Sequence, residues 1–88
     1  MEIEYSKNFL KNYRKRIQKE SNLDQKFRQK LSLLTKNPKN SLLKKHSLRG
    51  KMKKYCAFSV TGNCRVIYKI KKNIIELYDI GSHNQVYK

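Results

Sequence analysis

The sequence predicts an α+β fold: two N-terminal helices packed on one face of a small antiparallel sheet, in the order β-α-α-β-β-β. Two observations predict it. Apolar residues recur at helical spacing through residues 7–34, whereas Tyr55–Tyr87 holds three strand-like runs parted by Thr61-Gly62-Asn63 and Lys71-Lys72-Asn73. The chain has 88 residues, which makes one domain, 1–88. A chain of this size buries roughly 60–70% of its unfolded surface, so its stability is modest.

Glu2-Ile3-Glu4-Tyr5 alternates and reads as a short first strand with Ile3 and Tyr5 on one face. Ser6 is placed to cap a helix over Lys7–Lys19, whose apolar stripe is Phe9, Leu10, Tyr13 and Ile17. Ser21-Asn22 breaks that pattern. Asn22 or Asp24 can cap a second helix carrying Phe27, Leu31 and Leu34 on one face, with Leu33 beside them. Asn37-Pro38 ends it, because a residue before proline avoids helical dihedrals. Lys36–Lys54 is a basic connecting segment in which Leu42, Leu43 and Leu48 anchor the chain to the core and Gly50 makes a turn. In the hairpin turn Thr61-Gly62-Asn63, Gly and Asn supply positive φ. On the following strand Cys64, Val66, Tyr68 and Ile70 form the core face, so Arg65, Ile67 and Lys69 point to the side away from the helices. That side is expected to be open.

Charge is the second strong signal. Lys plus Arg number 22 and Asp plus Glu number 6, a net charge of +16. Between Asp24 and Glu76 there is no acidic residue, while 15 Lys or Arg fall in that span. A lysine-rich solvated surface explains the many cations but not the missing acids, since ordinary surfaces mix both signs. The pattern favours a polyanionic partner, either nucleic acid or an acidic protein segment. A charge this high should also repel copies of itself, so the free chain is expected to be a monomer. No run of about 18 apolar residues is present, and Met1-Glu2-Ile3-Glu4-Tyr5 has neither the basic nor the apolar region of a signal peptide. A cytoplasmic protein without a membrane role is therefore expected, with Cys56 and Cys64 reduced. The two Cys and two His form no clamp at metal-ligand spacing, so neither a metal nor another cofactor is expected.

Three stretches carry a family resemblance: Asn37-Pro38 with His46-Ser47-Leu48-Arg49-Gly50-Lys51, then Ala57-Phe58-Ser59-Val60-Thr61-Gly62-Asn63-Cys64-Arg65-Val66-Ile67-Tyr68, and Asp79-Ile80-Gly81-Ser82-His83-Asn84-Gln85-Val86-Tyr87. In these residues and in element order the chain resembles the RelE/ParE toxin superfamily of bacterial type II toxin–antitoxin systems, above all its YafQ-like branch. The resemblance implies an endoribonuclease that cuts messenger RNA on the ribosome and is silenced by a cognate, acidic antitoxin. It implies that His83 is the histidine acting as general acid or base, that His46 matches a second histidine of that branch, that Tyr87 stands at an aromatic position and that Arg65 stands where a phosphate-contacting arginine lies. That branch carries a histidine where Ser59 stands here and an aspartate where Asn63 stands, so its acid–base pair does not transfer whole.

The residues suit metal-independent cleavage of RNA by its own 2′-hydroxyl. The reaction needs a base for that proton, positive charge for the phosphate and an acid for the departing 5′-oxygen. Histidine serves either proton step near neutrality. Arginine is a planar, permanently charged donor to phosphate. His83 is thus expected as the acid, Arg65 with Lys51, Lys53 or Lys54 as charge stabilisers, and His46 or a nearby lysine as the base. Tyr87 can stack on a base or bind phosphate, and Asn63 lies at the hairpin turn beside them. Two other readings compete: a ParE-like toxin that poisons DNA gyrase without nuclease activity, and a non-catalytic basic RNA-binding module.

Overall fold

The computed structural model describes residues 1–87. Strand β1 (Glu2–Tyr5) leads into α1 (Lys7–Arg16) and α2 (Ser21–Lys36). Then follow β2 (His46–Ser47), β3 (Cys56–Ser59), β4 (Cys64–Lys71), β5 (Ile74–Ser82) and a terminal turn of helix, α3 (His83–Val86). The α+β class and the helix pair are as the sequence predicts. The sheet is not purely antiparallel. Its five strands run in the order β1-β5-β4-β3-β2, and β1 lies parallel to β5. Alternation in Glu2–Tyr5 reveals a strand but not its neighbour, and here the neighbour is the last strand of the chain.

Ser6 caps α1 by accepting the Phe9 N–H at 2.9 Å. The helix stops at Arg16, earlier than its periodicity suggests, and Ile17 closes it with an N–H bond to the Tyr13 carbonyl. Helix α2 starts at Ser21 without a side-chain cap, so neither Asn22 nor Asp24 caps it. Asp24 instead accepts from the Tyr13 hydroxyl at 2.5 Å and from Arg28 Nε at 3.0 Å, tying α1 to α2. That hydroxyl bond holds the Asp24 carboxyl below its ordinary value.

The core is one cluster beneath the helices. Phe9, Ile17, Phe27, Leu31 and Leu34 meet Phe58, Val66, Tyr68, Ile75, Leu77 and Ile80. Leu43 anchors the connecting segment, whereas Leu42 is exposed and Leu48 half-buried. Leu77 and Ile80 are three residues apart yet both face the helices, which strict alternation forbids. A β-bulge accounts for it: Tyr68 pairs with Leu77 and Ile67 with Asp79, which leaves Tyr78 as the extra residue.

Past Leu77, β5 loses β1 as a neighbour. Its edge carbonyls are taken by α1 instead. Ser6 Oγ and Asn8 Nδ2 donate to the Tyr78 carbonyl at 3.0 and 2.9 Å, and Arg16 donates to the Ile80 carbonyl at 3.0 Å. Asp79 receives Asn12 Nδ2 at 2.7 Å and pairs with Arg16 at 3.5 Å. Helix α1 thereby satisfies an edge that would otherwise invite strand pairing.

Two sequence expectations for the strands fail. Neither Gly62 nor Asn63 takes positive φ; the loop closes through Val60 N–H to the Cys64 carbonyl and Cys64 N–H to Thr61 Oγ1. The left-handed residue lies in the other turn, at Lys72 with φ 57°. Ile70, expected in the core, is exposed, and Ile67, expected on the open side, is fully buried together with Ala57. The face away from the helices is therefore partly covered.

Asp79→Ala should lower folding stability by about 1–3 kcal/mol, because it strips partners from the buried Asn12 and the half-buried Arg16. Urea denaturation at constant m-value measures this, and an unchanged midpoint would refute it. The thiols should separate as well. Cys56 is half-buried, whereas burial pushes the Cys64 thiol up to about 11. A disulfide-exchange reagent at pH 8 should therefore titrate one thiol in the native protein and two in denaturant; two fast native thiols would overturn this.

Candidate active site

The covering of the second face begins with a local sequence signal. Ser82-His83-Asn84-Gln85 is a capping box: the Ser82 hydroxyl accepts the Gln85 N–H at 3.3 Å, and Gln85 Oε1 accepts the Ser82 N–H at 2.8 Å. This ends β5 and starts α3, so the last strand-like run does not continue to Tyr87. The His83 N–H donates to the Asn63 carbonyl at 3.0 Å, which pins the new turn to the β3–β4 loop. Gly81 makes room for it. A Cβ there would lie 2.6 Å from Gln85 Oε1 and 2.7 Å from an Arg16 nitrogen. The chain thus leaves the sheet at β5 and crosses the face that bears Arg65.

The crossing ends at β2, two residues that no periodicity could reveal. His46 pairs with Ala57, and Ala57 pairs with Ile67. His46 Nε2 lies 2.8 Å from the Tyr87 hydroxyl, and the two rings are 5.9 Å apart. His83 meets the same tyrosine edge-on, with ring centroids 4.5 Å apart. Arg65 lies across from Ser59 and Gly81 in the sheet and donates an Nη1 bond to the Thr61 carbonyl at 3.0 Å. Its Nε is buried without a partner among the described residues. Burial raises the Tyr87 phenol above its ordinary value, and the Arg65 guanidinium beside its oxygen pulls the other way.

Four of the sequence's candidates thus meet around one tyrosine: His46, His83, Arg65 and Tyr87 itself. Both histidines are exposed, while Tyr87 and Arg65 are half-buried. Asn63 contributes its carbonyl rather than its exposed side chain. Ser59 is buried opposite Arg65. Lys51 lies in a short 3₁₀ turn, Gly50–Met52, and Lys53 and Lys54 follow it, all three exposed. That turn borders α3, for Met52 lines one cleft with Gln85, Val86, Lys11 and Lys15. None of the three lysines hydrogen-bonds to the His–Tyr cluster among the described residues. Cys56 stands opposite Tyr68 and Cys64 opposite Ser82, so the cysteines do not face each other across the hairpin.

The sequence reading missed three contributions. Thr61 orients Arg65 through its carbonyl, Gln85 completes the capping box, and an aromatic pair stands on the sheet. The Tyr55 and Tyr78 rings are 5.0 Å apart, with Lys69 Nζ 5.2 Å from the Tyr55 centroid. Only the capping box had a legible signal, serine followed three residues on by glutamine just past a strand.

Geometrically the cluster offers an exposed imidazole on each side of a phenol, with a guanidinium behind it. Such a set can donate and accept protons and hold an anion, and among the described residues no helix is long and apolar enough to cross a membrane. No curated protein matches the chain by sequence. Solved structures do match. YafQ from Escherichia coli strain BL21(DE3) is 26% identical over 99% of this chain and 98% of its own, with a TM-score of 0.85. YafQ in the E. coli DinJ–YafQ toxin–antitoxin complex is 26% identical over 99% of this chain and 97% of its own, with a TM-score of 0.83. A YoeB/ParE toxin from Agrobacterium tumefaciens is 17% identical over 94% of this chain and 99% of its own, with a TM-score of 0.81, a likeness of fold alone. The family model for the bacterial toxin of type II toxin–antitoxin systems, YafQ, matches residues 1–88, and the chain belongs to that family of toxins.

Proposed function

We propose that this toxin is a ribosome-dependent, metal-independent endoribonuclease that cuts messenger RNA by 2′-hydroxyl attack and so stops translation in the cytoplasm. One observation carries the reading: two exposed imidazoles and a guanidinium meet at a single tyrosine, on the face left free by the helices. A gyrase poison or a passive RNA binder has no need of that convergence. The net charge of +16 supports a polyanionic substrate, whose phosphates such a surface attracts at long range.

In the proposed reaction His83 protonates the departing 5′-oxygen. Arg65 binds the phosphate and stabilises the charge that builds on it, with Lys51, Lys53 and Lys54 adding positive potential from the neighbouring loop. His46 takes the 2′-hydroxyl proton. Tyr87 lies between the two histidines, where it can stack on a base of the bound strand. The products are a 2′,3′-cyclic phosphate and a 5′-hydroxyl. The partner that silences the toxin is an antitoxin rich in acidic residues, and the free toxin is a monomer.

His83→Ala or His83→Gln should lower cleavage of ribosome-bound message by about 10²–10⁴-fold, the usual size of general acid–base catalysis. Arg65→Ala should remove about 2–4 kcal/mol of transition-state stabilisation. Primer extension on translated messages, with and without chelator, measures both. Near-parental cleavage by either variant would remove that residue from the mechanism. Undiminished toxicity of the His83 variant together with DNA damage would favour gyrase as the target.

A further inference from the structure

We infer that Tyr87 is a positioning residue whose hydroxyl holds His46 as the neutral tautomer protonated on Nδ1, with the Nε2 lone pair turned into the site. The catalytic consequence rests on the nuclease reading; the tautomer itself rests on geometry.

The argument follows the direction of each hydrogen bond. A guanidinium is donor only. The positive charge of Arg65 near the phenol favours a Tyr87 hydroxyl that turns its proton away from the guanidinium. Its single proton then points at His46 Nε2, 2.8 Å away. A nitrogen that accepts carries no proton, and a neutral imidazole must then carry its proton on the other nitrogen. His46 Nδ1 lies 3.4 Å from the Lys44 carbonyl oxygen, a long contact that only an Nδ1–H can use. Lys44 adopts positive φ, 48°, in the turn just before β2, which sets its carbonyl beside the ring. A carbonyl only accepts, so donation runs one way, from the Tyr87 hydroxyl through His46 to Lys44.

A solvated histidine favours the opposite tautomer, with its proton on Nε2. In that form Nε2, the nitrogen on the Tyr87 side, could not act as a base. When substrate binds, the 2′-hydroxyl replaces the phenol as the donor to Nε2. Its proton passes to that nitrogen and leaves His46 an imidazolium, while the 2′-oxygen bonds to phosphorus. The bond from phosphorus to the 5′-oxygen breaks, and that oxygen takes its proton from His83. This selects His46 over the nearby lysines as the base.

Tyr87→Phe keeps the ring against both histidines and removes only the hydroxyl. Nitrogen-15 chemical shifts of the imidazoles in the full-length protein report the tautomer without any need for activity. The expected result is an Nδ1–H His46 in the parent and an Nε2–H His46 in Tyr87→Phe, with unchanged circular dichroism. Finding Nε2–H in the parent, or the same tautomer in both proteins, would overturn the inference. On ribosome-bound message Tyr87→Phe should cost about tenfold in rate, the worth of one such hydrogen bond, and should cost nothing further when His46 is already Ala. A tautomer switch with no loss of cleavage in Tyr87→Phe and in His46→Ala would uphold the positioning and overturn His46 as the base.

Discussion

The C-terminal turn over Gly81 decides where the candidate site of this molecule sits. Without it β5 would run on past Ser82, and His83 and Tyr87 would project from the end of the sheet, away from Arg65. The capping box reverses the chain within one helical turn. The bond from His83 N–H to the Asn63 carbonyl fixes the reversal to the β3–β4 loop. The remaining residues span the gap from β5 to β2, three strand spacings or about 14 Å. The missing side chain at Gly81 leaves room for Gln85 close to the strand. A short local motif thereby brings together residues up to 41 positions apart in sequence, His46 and Tyr87.

This explains what the sequence could and could not disclose. The helices were legible because Phe9, Tyr13, Ile17, Phe27, Leu31 and Leu34 keep a period that only helical geometry can bury on one side. The β4–β5 hairpin was legible from its turn residues. Strand β2 was not, since two residues carry no period. The parallel pairing of β1 with β5 joins the two ends of the chain and leaves no local trace. The bulge at Tyr78 broke the alternation that sequence reasoning relies on, and burial of Ile67 followed from cover that arrives from elsewhere in the chain. The candidate residues themselves were named from sequence and resemblance. That the others converge on Tyr87 was not legible, because the convergence depends on the reversal at Ser82.

Scarce acids are used with economy. Only six stand against 22 cations, and two of them work inside the fold. Asp24 ties α1 to α2 through Tyr13, and Asp79 ties α1 to the exposed end of β5 through Asn12 and Arg16. Glu76 pairs with Lys69 at 3.6 Å. The stretch from Lys36 to Lys54, beside the His–Tyr cluster, has no acid to balance it. Stability is thus secured by carboxylates on the helix side and along the β5 edge, while the connecting segment keeps its positive field. A protein that folded with more surface ion pairs would gain little, since exposed pairs contribute under about 1 kcal/mol, and would weaken that field.

The cluster is also shallow. Both imidazoles are exposed to solvent rather than enclosed. General acid–base catalysis of phosphodiester cleavage draws much of its rate from holding the attacking and leaving oxygens in line and from excluding water. A free toxin surface does neither for a flexible single strand. The orienting surface must then come from outside the chain, and under the nuclease reading a decoding site that already holds messenger RNA in a fixed path supplies it. Under that reading a half-built site of this kind would be inert toward stray RNA and active only where the strand is presented. The proposed ribosome dependence would then be a physical consequence of too little concavity, not a separate regulatory device.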